Sequence, residues 1–143
     1  MDRTQERNQW AFDGIMDWLT RPNAQQCLSQ EGGCVYYDVD TGNRCAIGGH
    51  IDLEFARTMA DWHIGIESLI SVDADYDDQV TNVEVAESVA DYYEGVSVEL
   101  LDRLQRLHDD RYNWDADNYG LNELGISEAA AIAEQWNLKF KYA

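Results

Sequence analysis

Two cysteines and one histidine are the residues of this chain best suited to hold a soft metal ion. Zinc in proteins is bound by four thiolate or imidazole ligands arranged as a tetrahedron. Cys34, Cys45 and His108 could supply three of them, but their spacing contains neither a Cys-x-x-Cys nor a His-x-x-x-His pair. Because cysteine is among the most buried residue types, we interpret these thiols as core residues and expect no bound cofactor.

The same region could form a nucleophilic triad, with Cys45 as the thiolate, His108 as its base and Asp109 as the group that orients the ring. His108 and Asp109 are neighbours on a predicted helix, however, where successive side chains diverge by roughly 100°. Asp109 is therefore not expected to hold the imidazole, and we favour a core histidine bonded to a backbone carbonyl. On this argument the chain is not an enzyme, and a thiol-dependent enzyme ranks third among the functions considered.

A run of acids resembles the cation-binding loop of an EF-hand. Its first, third, fifth and twelfth positions are Asp73, Asp75, Asp77 and Glu84, and carboxylate oxygens at that spacing suit Ca²⁺. The sixth position of such loops is Gly, which permits a sharp turn, and here it is Asp78. We expect weak or no calcium binding, and a structural module stabilised by calcium or zinc is the alternative function.

The acids are the most unusual feature of the composition. The chain has 28 acidic and 10 basic residues, which gives a formal net charge of −18, and residues 50–102 contain 14 acids and a single base, Arg57. Such a surface repels nucleic-acid phosphates and anionic lipids, so direct binding to nucleic acid or to a membrane is not expected. It could instead imitate a phosphate backbone and occupy a basic groove, although salt adaptation would also explain the acidity.

The densest part of the acidic segment, between residues 73 and 94, is the surface that we predict to bind a partner. Its carboxylates supply charge, and its tyrosines supply the contact area that interfaces favour. The predicted partner-binding residues are Asp73, Asp75, Tyr76, Asp77, Asp78, Glu84, Glu87, Asp91, Tyr92, Tyr93 and Glu94.

Helices are the main elements that position these residues. The spacing of apolar residues predicts helices over about 4–19, 83–93 and 97–108, the last with Ser97 as its N-cap, and a final helix capped by Ser127. Residues 34–47 instead place β-forming side chains around an Asp-Thr-Gly-Asn turn, which predicts a β-hairpin. We expect an α+β fold that is mainly α, with residues 1–143 forming a single helical domain that carries one small hairpin at about 34–47.

In that hairpin Val39 would pair with Arg44. Because side chains alternate between the two faces of a strand, this register gives the hairpin one inward face. The residues on that face would be Cys34, Tyr36, Cys45 and Ile47.

Two blocks of the sequence carry recognisable motifs. The first is Cys34-Val35-Tyr36 followed by Gly42-Asn43-Arg44-Cys45-Ala46-Ile47-Gly48, and the second is the Leu-Leu-x-x-Leu-Gln-x-x-His-Asp pattern of Leu100 to Asp109. Together with Phe12-Asp13 and Trp18-Leu19, they resemble a family of small uncharacterised proteins of bacteriophages and bacterial genomes. The resemblance implies a phage or prophage context and a shared scaffold, without an established activity.

The cysteine count and the distribution of apolar residues indicate where in the cell the protein is expected. Three cysteines are an odd number, and no basic and apolar leader opens the sequence, which favours reduced thiols in the cytoplasm of a bacterial host. No apolar run of about 18 residues is present, so no transmembrane helix is expected.

We predict a non-enzymatic protein that binds and blocks a basic surface of a host protein by charge mimicry of nucleic acid. The host protein would be one that handles nucleic acid or acts in defence.

Overall fold

The computed structural model describes a helical protein. The residues that it describes are 3–22, 24, 26–27, 36–39, 41–57, 83–115 and 120–142, with the backbone alone for 83–86. Within these ranges the helices are α1 (Arg3–Leu19), α2 (Ala46–His50), α3 (Leu53–Arg57), α4 (Val83–Tyr92), α5 (Val98–Asp109), a 3₁₀ turn (Arg111–Asn113) and α6 (Glu123–Gln135). None of these helices is long and apolar enough to cross a membrane.

The β-hairpin predicted for residues 34–47, and with it the α+β fold class, is wrong, because the described residues of this segment form no strand. A single antiparallel bridge pairs Tyr37 with Arg44, whereas the predicted register paired Val39 with Arg44. Val39 is instead exposed at the turn. The turn residues therefore reverse the chain as expected, but this bridge is the one strand-like pairing among the described residues of the segment.

The second arm cannot continue as a strand because α2 begins there. Cys45 is the N-cap of α2, and its Sγ accepts a hydrogen bond from the N–H of Gly48 at 3.3 Å. Gly48 in turn lies so close to the carbonyl oxygen of Tyr36 that a Cβ would overlap it. Tyr36, Cys45 and Ile47 are buried, as the predicted inward face requires, although no strand carries them.

Two amphipathic helices, α1 and α5, supply much of the core. The predicted cap of α5 is confirmed, since Oγ of Ser97 accepts from the N–H of Leu100 at 3.3 Å. Helix α1 packs against α2 and α5, and α5 packs against α6. Their buried side chains belong to one hydrophobic cluster. The apolar residues of the two helices that are buried in it are Ala11, Phe12, Ile15, Met16, Leu19, Leu100, Leu101, Leu104 and Leu107.

The predicted cap of the last helix is wrong. Helix α6 begins at Glu123, and its N-cap is Asn122, whose Oδ1 accepts from the N–H of Gly125 at 2.9 Å. Ser127 lies inside the helix. The amide of Asn122 also donates to the carbonyls of Tyr112 at 2.7 Å and Trp114 at 3.1 Å. These contacts with a distant turn select Asn122 over Ser127.

Candidate functional site

His108 lies at the centre of a buried hydrogen-bond network at the end of α5. Its Nε2 accepts from the backbone N–H of Cys27 at 3.0 Å, so the ring proton of this tautomer is on Nδ1. Nδ1 then donates to Oδ1 of Asp109 at 2.8 Å. Both ring nitrogens are therefore engaged, one by a donor and one by an acceptor.

The prediction that Asp109 could not hold the ring of His108 is wrong. Asp109 is the last residue of α5, where the side chain is not confined by a following turn, and its carboxylate bends back to Nδ1. Gln105, one turn earlier, donates to the same Oδ1 at 3.0 Å, which fixes the carboxylate. The ring partners are this carboxylate and a backbone N–H, and not the backbone carbonyl that the sequence suggested.

The last carbonyls of α5 are also satisfied by side chains from other segments. Nε1 of Trp114 donates to the carbonyl of His108 at 2.8 Å. Gln26 donates through Nε2 to the carbonyls of His108 at 3.0 Å and Asp109 at 2.8 Å. Because a helix leaves its final carbonyls without intrahelical partners, these bonds complete the helix end and attach the segment around Gln26 to it.

The thiol of Cys45 is placed for a structural task. It is fully buried and accepts from Gly48 as the cap of α2, and burial raises its pKa to about 12. The thiolate is the nucleophilic form of cysteine, so this environment suppresses reactivity at neutral pH. Since Nε2 of His108 already accepts from Cys27, this geometry gives no support to a triad of Cys45, His108 and Asp109.

Tyr36 adds an unusual feature beside this network. The residue is 3% exposed, and its hydroxyl has no hydrogen-bond partner among the described residues. Burial, reinforced by the nearby Cys45, Asp109 and Asp102, raises the pKa of Tyr36 well above its usual value. A buried hydroxyl without a partner costs about 1–3 kcal/mol.

The metal-binding candidates fall largely outside what the structure describes. Among the residues that it does describe, no three His, Cys, Asp or Glu side chains converge as ligands for an ion. Cys34, from the predicted zinc set, and the loop from Asp73 to Glu84, from the predicted calcium set, lie outside the described side chains. A metal-stabilised module therefore stays a prediction.

Four of the predicted partner-binding residues form an exposed group at the end of α4. Glu87, Asp91 and Glu94 are exposed, and Tyr92 is 38% exposed. Tyr93 differs, because it is 2% exposed and lies in the core, so it cannot supply contact area. The remaining predicted residues are Asp73, Asp75, Tyr76, Asp77, Asp78 and the side chain of Glu84, which lie outside the described part.

An aromatic cluster holds this end of α4 against α1. The ring of Trp10 lies 4.7 Å from that of His50, 5.2 Å from that of Tyr92 and 6.1 Å from that of Tyr93, between centroids. His50 also pairs through Nδ1 with the hydroxyl of Tyr93 at 2.9 Å. The contact of Trp10 with His50 could not be predicted from the sequence, because residues so far apart in the chain give no local signal of it.

Arg7 fixes the same end of α4 from α1. Its Nε donates to the carbonyl of Glu94 at 3.0 Å and its Nη2 to the carbonyl of Tyr92 at 2.7 Å, while its guanidinium lies over the ring of Trp10 at 4.0 Å. The charge of Arg7 is thus directed at backbone oxygens. No ion pair neutralises Glu87, Asp91 or Glu94 within the described ranges.

Comparisons with known proteins found no match to this chain. No protein-family model, no curated protein and no solved structure matches the chain. The resemblance to small phage proteins stays a prediction.

Proposed function

We propose that the chain is a binding protein of phage or prophage origin whose acidic surface occupies and blocks a basic surface of a host protein, without catalysis and in the host cytoplasm. The observation that carries the proposal is the exposed group at the end of α4, formed by Glu87, Asp91, Tyr92 and Glu94. We call these four residues the acidic surface. Its carboxylates have no ion-pair partner among the described residues, so their charge is available to a partner.

Tyr92 gives the acidic surface a rigid contact point. Its ring packs on Trp10, and its hydroxyl donates to the carbonyl of His50 at 3.3 Å. A tyrosine that is already ordered loses little conformational entropy when a partner covers it. Aromatic residues held in this way are enriched among the residues that dominate binding energy.

The net charge of −18 selects the chemistry of the partner. A field of this sign attracts clusters of lysine and arginine and accelerates association with them. A groove that normally holds a nucleic-acid backbone presents such a cluster, so the proposed partner is a host protein that handles nucleic acid. The same field repels nucleic acids and anionic membranes, which are not proposed as ligands.

The test compares two variants that lose the same number of charges. One is Glu87→Gln, Asp91→Asn and Glu94→Gln together, and the control removes three exposed carboxylates elsewhere, with Glu6→Gln, Glu123→Gln and Glu134→Gln. Immobilised wild-type chain captures host proteins from a bacterial lysate, and salt elution with added duplex DNA as competitor selects those held at a nucleic-acid site. Association rates of the purified captured protein are then measured with all three chains.

We expect the variant of the acidic surface to associate about tenfold more slowly at about 0.15 M salt, while the control associates much as wild type does. An equal effect of both variants would mean that net charge alone matters. If neither variant changed binding, or if duplex DNA did not compete, the acidic surface would not be a nucleic-acid mimic.

A further inference from the structure

A different part of the molecule carries concentrated positive charge. Arg21, in the turn after α1, and Arg44, just before α2, both lie against the indole of Trp18. Their guanidinium carbons are 3.4 and 4.2 Å from the centroid of the ring. This cluster, which we call the arginine pair, is unexpected in a chain with 28 acids and only 10 bases.

The backbone fixes the arginine pair in place. Nε1 of Trp18 donates to the carbonyl of Arg44 at 3.1 Å, and Nη1 of Arg21 donates to the carbonyl of Trp18 at 2.6 Å. Gly49 approaches the indole so closely that a Cβ would overlap the ring. Nη2 of Arg21 also donates to Oδ1 of Asn43 at 3.0 Å, so hydrogen bonds orient the side chain of Arg21, while that of Arg44 lies against the indole.

The arginine pair has no ion-pair partner among the described carboxylates, although the charge of Asp52 acts on Arg44. Burial, and then the charge of Arg44, lower the pKa of Arg21 to about 10. Nε of Arg44 is buried and has no acceptor among the described residues, which is a cost that a bound acceptor would remove.

We propose that Arg21 and Arg44 form a binding site for the phosphate group of a small molecule, with the two guanidinium groups positioned on Trp18. Guanidinium N–H groups match the oxygens of phosphate in pairs, and two cations balance a phosphate dianion. A small ligand avoids the repulsion that a nucleic acid would meet, because charges farther than about 8 Å away are largely screened at physiological salt. The site shares no residue with the acidic surface, so neither proposal depends on the other.

Calorimetric titration with inorganic phosphate and with glycerol phosphate tests the site, and acetate serves as a singly charged comparison. We expect a dissociation constant of about 1 mM or lower for at least one phosphate. Equal affinity for the two phosphates would identify free phosphate as the ligand, and tighter binding of glycerol phosphate would identify a phosphate monoester. Acetate is expected to bind at least about tenfold more weakly.

Arg21→Gln and Arg44→Gln should each weaken phosphate binding at least about tenfold, since each removes one guanidinium fork. The matched control is Arg111→Gln, because Arg111 also lies over an aromatic ring, that of Tyr112 at 5.0 Å, but has no second arginine there. Arg44→Lys keeps the charge without the paired N–H donors of the guanidinium and should weaken binding less than Arg44→Gln does.

Thermal unfolding of each variant, with and without phosphate at constant ionic strength, verifies that the variant folds and gives a second, independent comparison of phosphate binding. Absence of heat and of thermal stabilisation for wild type at about 10 mM phosphate, or binding by both Gln variants equal to wild type, would overturn the proposal.

Discussion

The backbone N–H of Cys27 donates to Nε2 of His108 at 3.0 Å, across 81 positions of the chain. This bond ties the segment that follows α1 to the end of α5. It also places the ring proton on Nδ1, from which the carboxylate of Asp109 accepts. One buried imidazole therefore connects two segments that lie far apart in the chain. A histidine with both nitrogens engaged in this way acts as a structural crosslink, which accounts for its burial among leucines.

We expect His108→Leu to lower the free energy of unfolding by about 2–4 kcal/mol, because it leaves the N–H of Cys27 without its acceptor and removes the Asp109 contact. Asp109→Asn is the matched comparison, since its amide oxygen can still accept from Nδ1, and it should cost less than about 1 kcal/mol. Urea unfolding of the two variants measures the difference. A loss below about 0.5 kcal/mol for His108→Leu would show that the crosslink does not stabilise the fold.

The cap of α2 gives a prediction at Cys45. Cys45→Ala removes the acceptor of the buried Gly48 N–H and should cost about 1–2 kcal/mol of unfolding free energy. Cys45→Ser places a hydroxyl, which is a preferred N-cap group, near the position of the sulfur and should recover most of that loss. Thermal and urea unfolding of both variants provide the measurement. Equal stability of the two would mean that the hydrogen bond to Gly48 contributes nothing.

Leu104 tests the core that the sequence predicts most directly. It is fully buried on α5, so Leu104→Ala should lower the free energy of unfolding by about 2–5 kcal/mol. Leu124→Ala is the control, because Leu124 is 50% exposed on α6 and its loss should cost less than about 1 kcal/mol. Chemical denaturation compares them. Similarly small losses of unfolding free energy at both positions would mean that the leucines of α5 lie outside the core.

The helices α1 and α5 could be predicted because their signals are local. Ser97 and the leucines after it fall within a few turns, and proline ends the first helix soon after Leu19. The hairpin prediction failed because strand-forming residues around a turn give the same local pattern whether or not a strand follows. What decides between the two is the sulfur cap of Cys45 and the close approach of Gly48 to Tyr36, and both depend on the folded arrangement.

The candidate sites also combine features that have a local signal in the sequence with features that depend on the folded arrangement. The exposure of Glu87 and Asp91 follows from their position on an amphipathic helix, and it could be predicted. The opposite fates of Tyr92 and Tyr93 could not, because adjacent tyrosines have the same composition and only their partners in α1 distinguish them. The arginine pair was missed because Arg21 and Arg44 are far apart in the sequence and meet only on Trp18.

His50 gives a prediction for the dependence of stability on pH. Burial, and then the charge of Arg7, lower the pKa of His50 from 6.5 to about 4, and the ring also contacts Tyr92 and Tyr93. Because the unfolded chain takes up this proton near pH 6.5 and the folded chain only near 4, protonation favours unfolding between those values. The contribution of His50 to stability is therefore complete above about pH 6.5 and decreases as the pH falls toward 4.

His50→Gln removes this titration while keeping a polar group that can face the hydroxyl of Tyr93. Between about pH 7 and pH 5, wild type should lose about 1–2 kcal/mol more unfolding free energy than the variant does, a value reduced from full burial because the ring is partly exposed. Urea unfolding at several pH values measures both chains, and the titration of the many carboxylates is common to them and cancels in the difference. Parallel stability curves for the two chains would show that His50 has the same pKa in the folded and the unfolded chain. The packing of Trp10, Tyr92 and Tyr93 around a neutral ring would then not make the fold sensitive to acid.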